Sequence, residues 1–308
     1  MINAGNFAVF GVVIAVMLLY GCRPNDAVNA GSTDGKITVV ATFYPLYDIT
    51  RKIAGDKLNV DALIPAGVEP HDYEPSPEDI IKLSRAKGFI TIGFRFSGIE
   101  NKLMESYDGK ITAIDSKKGI TLLNAQGGDK GEIERNSGKD PHIWLSPTNM
   151  IIIAGNIRDG LKNIDPLNAG LYDENAKKII EELKLLDSEY RKGLFGCRKS
   201  VILTNHRAFA YVARDYGFNQ VGISGLEPET EPTAKEIIRI KEEAIKNNAT
   251  YIFTEELVDA RIAQAIAGEI GAKTIVLNPI EGTKNPNEDY FSLMRANLAN
   301  LKLALGCS

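Results

Sequence analysis

Three histidines, His71, His142 and His206, are the whole imidazole complement of this 308-residue chain. All three occupy the same kind of place. His71 lies in Glu69-Pro-His-Asp-Tyr-Glu-Pro-Ser, between a strand pattern and a capped helix start. His142 lies in Asp140-Pro-His-Ile-Trp-Leu-Ser-Pro, again just ahead of a helix start, and His206 in Thr204-Asn-His-Arg-Ala-Phe, at a strand-to-helix junction. In open α/β sheets ligands bind beyond the carboxyl ends of the strands, where these positions fall. A core or surface histidine has no reason to take such a position three times. Neutral imidazole is the commonest protein donor to zinc, and three of them leave room for one more ligand. That donor must come from the last third of the chain or from water. Glu255, Asn278 and Glu281 all follow strand patterns there, and an anionic oxygen outranks an amide on charge.

The three histidines are separated by 71 and 64 positions, so a common site has to be assembled by the fold. The pattern that could do this alternates short apolar runs with amphipathic stretches. Strands are predicted at 37–42, 60–64, 89–92, 111–114, 200–203, 220–223, 251–254 and 274–277. Helices are predicted at 44–53, 77–86, near 98–105, from 147, and at 208–216, 234–247, 258–270 and 290–305. Ser76 with Pro77, Ser146 with Pro147, and the box Thr233-Ala-Lys-Glu236 mark helix starts. From Pro166 to about Leu194 the residues Leu171, Ala176, Ile179, Ile180, Leu183, Leu186 and Tyr190 keep a helical period. That gives a rod of about 43 Å. Asn124 to Asp140 is polar, without apolar period, and reads as an exposed loop. The fold class expected is α/β: two similar lobes, each a mostly parallel sheet flanked by helices, joined by one long helix.

Composition excludes other readings. With 36 basic and 40 acidic residues the net charge is −4, which gives no footprint for nucleic acid. The sequence has no phosphate-binding glycine loop, no nucleophile elbow, no H-E-x-x-H and no C-x-x-C. Residues 1–21 carry no charge, and Phe7 to Tyr20 is an apolar run of signal-peptide length, short of the ~20 residues of a membrane span. It ends in Leu19-Tyr20-Gly21-Cys22, which resembles a bacterial lipoprotein box with Cys22 as the lipidated residue. Residues 22–35 then read as a flexible tether. An extracytoplasmic location follows, and with it an expected disulfide between Cys197 and Cys307.

Five motifs taken together resemble the zinc- and manganese-type solute-binding lipoproteins of bacterial and archaeal ABC importers. They are Ala41-Thr-Phe-Tyr-Pro-Leu, Glu69-Pro-His-Asp-Tyr-Glu-Pro-Ser, Asp140-Pro-His-Ile-Trp-Leu-Ser-Pro, Asn205-His-Arg-Ala-Phe and Leu277-Asn-Pro-Ile-Glu-Gly. The resemblance runs from Lys36 to the end. It implies two α/β lobes joined by a rigid helix, a metal in the cleft, and ligand roles for His71, His142 and His206. It also implies a lipid-anchored monomer that hands its cargo to a membrane permease, with no catalytic residues. Manganese-type members usually carry a carboxylate where this chain has His206, so the third imidazole favours zinc. Relatives with a similar Asn-Pro-Ile-Glu motif use its Glu, here Glu281; water beside Asn278, then Glu255, are the weaker alternatives. The His-rich loop of many zinc receptors is missing from 124–140.

The domain division expected is 36–164 for the first lobe, 165–196 for the linking helix and 197–308 for the second lobe. Two rival functions have to be weighed. Three imidazoles with an open position is also the pattern of zinc hydrolases, for which Glu255 could serve as base, although no substrate pocket is marked. A surface adhesin would need a repeat or apolar patch that the sequence lacks. Asp72 is a candidate for orienting an imidazole through its second nitrogen. Trp144 and Tyr73 flank the proposed ligands, and core packing explains both.

Overall fold

Val39 and Ala41 are fully buried, which suits Ile37–Ala41 (β1) to an inner position in the first sheet. It pairs in parallel with Leu58–Ala62 (β2) on one side and Gly88–Thr91 (β3) on the other. Thr112–Asp115 (β4) extends the sheet beyond β3, giving the order β2-β1-β3-β4. The structure is a computed structural model and describes Met1 and residues 35–93, 111–126, 137–228 and 232–308. The helix expected near 98–105, the signal segment, and Cys22 lie outside the described residues.

Two crossovers of the first lobe and the helix that follows β4 are closed by local chemistry. Tyr44–Ala54 (α1) follows β1 with Pro45 in its first turn and buries Leu46, Ile49 and Ile53. Pro77–Arg85 (α2) starts at Ser76, whose hydroxyl accepts from the Asp79 amide while the Asp79 carboxylate accepts from the Ser76 amide. Pro147–Ile164 (α3) starts at Ser146, which accepts from the Asn149 amide at 3.2 Å. Gly160 lets α3 lie against the sheet: a Cβ there would come within 2.4 Å of the Ile114 side chain.

The linking helix Ala169–Gly193 (α4) has 25 residues, a length of about 37 Å. It is shorter than the rod expected from Pro166, because Pro166–Asn168 forms a separate 3-10 turn ahead of it. The buried positions Tyr172, Ala176, Ile179, Leu183, Leu186 and Tyr190 make one stripe, while Leu171 and Ile180 are only half-buried at its edge. α4 packs along α1 and α3 and also meets the C-terminal helix Tyr290–Leu305 (α8). One apolar core therefore runs from Phe43 and Trp144 through α4 to Phe253, Leu277 and Ile280.

The second lobe contains two parallel pairs. Val201–Thr204 (β5) pairs with Asn219–Gly222 (β6), and Tyr251–Thr254 (β7) with Lys273–Val276 (β8). β5 lies beside β7, so the lateral order β6-β5-β7-β8 repeats that of the first lobe. Ala210–Tyr216 (α5), Ala234–Lys246 (α6) and Arg261–Ile270 (α7) are the connecting helices, and Thr233 with Glu236 forms the expected capping box. A core of Leu203, Ile223, Ile240, Ile252, Ile266 and neighbours closes this lobe.

Several boundaries move. The strand expected at 60–64 is Leu58–Ala62, because its ladder is set by β1; Leu63 and Ile64 still donate to Ala41 and Thr42. The strands expected at 220–223 and 274–277 each begin one residue earlier. The helix expected from 258 begins at Arg261, since the Asp259 carboxylate captures the Arg261 amide at 2.9 Å and sets a turn first. The helix expected from 208 begins at Ala210. Asn124 and Lys139 form an antiparallel bridge at the neck of the polar loop. Cys197 and Cys307 are disulfide-bonded, tying the segment before β5 to the end of α8.

Candidate metal centre

The loop between β2 and α2 carries His71, whose amide donates to the Glu69 carboxylate at 3.1 Å. His142 stands directly before the 3-10 turn Ile143–Leu145, and Asp140, two residues earlier, accepts from both its amide and its Nδ1 at 2.9 Å. Asp140 is itself pinned, its carbonyl accepting from the Tyr211 hydroxyl at 2.8 Å. His206 follows β5, and the Glu255 carboxylate beyond β7 meets its Nδ1 at 2.7 Å. The turn after β8 delivers Glu281.

These four side chains converge. The Glu281 Oε1 lies 3.3 Å from Nε2 of His71, 3.5 Å from that of His142 and 3.7 Å from that of His206. The Nε2 atoms of His142 and His206 are 3.3 Å apart. No two of the four donor atoms are more than 4.8 Å apart. A tetrahedron with zinc–ligand bonds of about 2.0–2.1 Å has edges of about 3.3 Å. Four of the six separations, at 3.3–3.7 Å, are close to that edge.

Its chemistry agrees. His142 and His206 use Nδ1 against Asp140 and Glu255, so that in the neutral rings each Nε2 lone pair faces the centre. His142, His206 and Glu281 are buried. Burial disfavours the charged His142 ring, but the Asp140 carboxylate and hydrogen bonding to Glu281 together outweigh it and the pKa is raised. His206 is raised well above its ordinary value in the same way, burial being overcome by Glu255 and Glu281. Burial would push the Glu281 carboxyl up, yet His71 and the hydrogen bonds from His142 and His206 hold it well below the usual range. Glu69, close by, is pushed up to about 9 by burial and by the charge on Glu281. The second oxygen of Glu281 is buried without a hydrogen-bond partner. Such an orphaned carboxylate oxygen fits a cation better than a closed hydrogen-bond network.

The structure brings together His71, His142, His206 and Glu281, and it gives Glu255 and Asn278 other contacts. Glu255 stands behind His206. Asn278 is folded into its own turn, with Oδ1 accepting from the Ile280 amide at 2.7 Å. Asp72 is exposed, and the buried carboxylates Asp140 and Glu255 are the partners of the His142 and His206 rings. Tyr73 hydrogen-bonds Asp79 and so supports the start of α2. Trp144 donates Nε1–H to the Pro279 carbonyl at 2.8 Å, a contact across 135 positions. Sequence reasoning missed Asp140; its only signal is a carboxylate two residues before a histidine.

Residues 39–304 match the family described as zinc-uptake complex component A, periplasmic. The zinc-binding lipoprotein AdcA of Streptococcus pneumoniae serotype 4 is 37% identical over 292 residues, covering 89% of this chain. The chain spans 57% of the length of that relative. The high-affinity zinc uptake system protein ZnuA of Bacillus subtilis is 36% identical over 309 residues, covering 96% of each. The crystal structure of the Zn(II)-bound ZnuA-like domain of Streptococcus pneumoniae AdcA superposes with a TM-score of 0.75 at 38% identity. That match covers 88% of this chain and 99% of the domain.

Proposed function

The chain belongs to the family of zinc-uptake complex component A, a family of solute-binding receptors, and on that premise we propose that it captures Zn2+ outside the cytoplasm for delivery to an ABC permease. The observation that carries the reading is the convergence of three imidazole Nε2 atoms on the Glu281 carboxylate within 4.8 Å. His71, His142, His206 and Glu281 are the four ligands. Zinc is the cargo. Nδ1 partners on His142 and His206 fix the tautomers, so the metal meets oriented lone pairs rather than rings that must first be turned.

The ligands come from both lobes, which suits a receptor that has to let go. His71 and His142 belong to the first lobe and His206 to the second, so a small separation strips a donor from the metal. The proposed division is 36–164 and 197–308 around the helix of 165–196, and the protein acts as a monomer. Among the described residues no helix is long and apolar enough to cross a membrane. Lipidation at Cys22, with 22–35 as tether, supplies the anchor; the name of the streptococcal relative supports this. A catalytic zinc keeps an open position for water. With Glu281 as fourth donor that position is filled, which favours a receptor over a hydrolase.

Metal analysis and zinc titration of the purified chain test the reading, together with an esterase and hydratase assay. One zinc per chain, bound tightly, without turnover, is expected. Substoichiometric or weak zinc, or zinc-dependent turnover, would overturn it.

A further inference from the structure

Ile280 has φ of +58°, and its side chain is fully buried. Three non-glycine residues with positive φ occur among the described residues: Ser137, Asn248 and Ile280. Of these Ile280 alone is β-branched, the type for which this region is most hindered. It immediately precedes Glu281. Such a conformation persists only where its surroundings over-determine it, and it is a way to aim a functional side chain.

The surroundings here are specific. Asn278 Oδ1 accepts from the Ile280 amide at 2.7 Å, closing a local turn. Asn278 is in turn gripped at both backbone groups by one side chain of α8. Asn297 Oδ1 accepts from the Asn278 amide at 2.8 Å, and Asn297 Nδ2 donates to the Asn278 carbonyl at 2.7 Å. From the other side Trp144 Nε1–H donates to the Pro279 carbonyl at 2.8 Å. Asn297 is 3% exposed, so water does not compete for these bonds.

We propose that Asn297 is a positioning residue for Glu281, holding the left-handed turn that points the carboxylate at the three imidazoles. This rests on the reading in which Glu281 is the fourth zinc ligand. Without the two-point grip the turn relaxes toward ordinary backbone angles, and Glu281 is displaced from the tetrahedron while the imidazoles stay. Water then replaces the carboxylate.

The test is Asn297→Leu, close in size and unable to make either bond, with zinc affinity and the visible spectrum of the Co2+-loaded protein as readouts. The ligand-field bands of bound cobalt change in position and intensity when a carboxylate donor is exchanged for water. Zinc affinity should fall about tenfold or more, and the cobalt bands should shift toward those of Glu281→Ala. Cys197→Ser/Cys307→Ser, destabilised away from the site, should keep the parent bands. If Asn297→Leu does not fold, Asn278→Ala removes the turn bond and should give the same change, with Asn278→Ser restoring part of it. Parent-like cobalt bands and zinc affinity in the folded Asn297 variant, or in the Asn278 variant where that one stands in, would overturn the proposal. Unchanged bands in Glu281→Ala would instead overturn the ligand assignment on which it rests.

Discussion

His206 and Glu255, 49 positions apart, meet at the ends of neighbouring strands, with 2.7 Å between Nδ1 and Oε1. The same oxygen lies 3.2 Å from the His206 amide nitrogen, so one carboxylate fixes both the ring and the backbone that carries it. Asp140 treats His142 in the same way. Two imidazoles thus arrive with rotamer and tautomer set before any metal binds, each from a different lobe.

Removing such a partner should weaken zinc binding without removing a donor. Glu255→Ala and Asp140→Ala are each expected to lower zinc affinity by about 10- to 100-fold with one site per chain retained. Competition against a chelator of known affinity measures this. Affinities equal to the parent would mean that the carboxylates are structural only.

Removing a donor should do more. His71→Ala, His142→Ala and His206→Ala are each expected to exceed the roughly 100-fold loss typical of an outer partner. Glu281→Ala should also exceed the loss caused by Glu255→Ala, while leaving three imidazoles and some residual zinc. The same chelator competition ranks them. Glu255→Ala weakening the site more than Glu281→Ala would reverse the roles assigned to these two residues.

The histidines were legible because each sits beside a local signal: Ser76 and Pro77 after His71, Ser146 and Pro147 after His142, a short apolar strand before His206. Caps and strand ends are decided by neighbours a few positions away, and sequence carries that information well. The roles of Glu255, Asn278 and Trp144 are decided by distant groups. Glu255 stays an alternative fourth donor until β5 and β7 lie side by side and put it behind the ring. Asn278 reads as a poor donor; that it is gripped by Asn297, 19 positions later, depends on how α8 packs. The long helix was visible from its apolar period, but the break at Pro166–Asn168 was not, because a 3-10 turn keeps nearly the same spacing.

Acid should release the metal. His142 and His206 hold their protons to higher pH than free imidazole, each ring stabilised by a buried carboxylate. A proton must leave before zinc can bind, so affinity rises with pH through the raised values and falls on acidification. The decline should begin above the ordinary histidine value of about 6.5 and steepen below it, since several ligands are lost together. At neutral pH binding should release protons, which appears in calorimetry as a heat that varies with the ionisation enthalpy of the buffer. Affinity flat between pH 7 and pH 5, with no buffer dependence, would be incompatible with histidine ligands.

The Cys197–Cys307 bond should support the fold and leave the metal centre alone. It closes a segment of 110 positions, for which the chain-entropy model gives about 4–5 kcal/mol of stabilisation. In a chain of this size each kcal/mol is worth about 2–4 °C in melting temperature. Cys197→Ser/Cys307→Ser is therefore expected to melt roughly 10 °C lower. The bond lies ahead of β5, where Lys199 also donates to the Leu305 carbonyl at 3.0 Å. His206 is at the opposite end of that strand, about 13 Å farther on. Zinc affinity at a temperature where both proteins are folded should match the parent within about twofold, the small margin reflecting independent sites. Calorimetric melting and zinc titration of the double variant check the two halves separately. A loss of zinc affinity in the folded variant would mean that the bridge reaches the site through β5, and an unchanged melting temperature would mean that α8 is held by its packing alone.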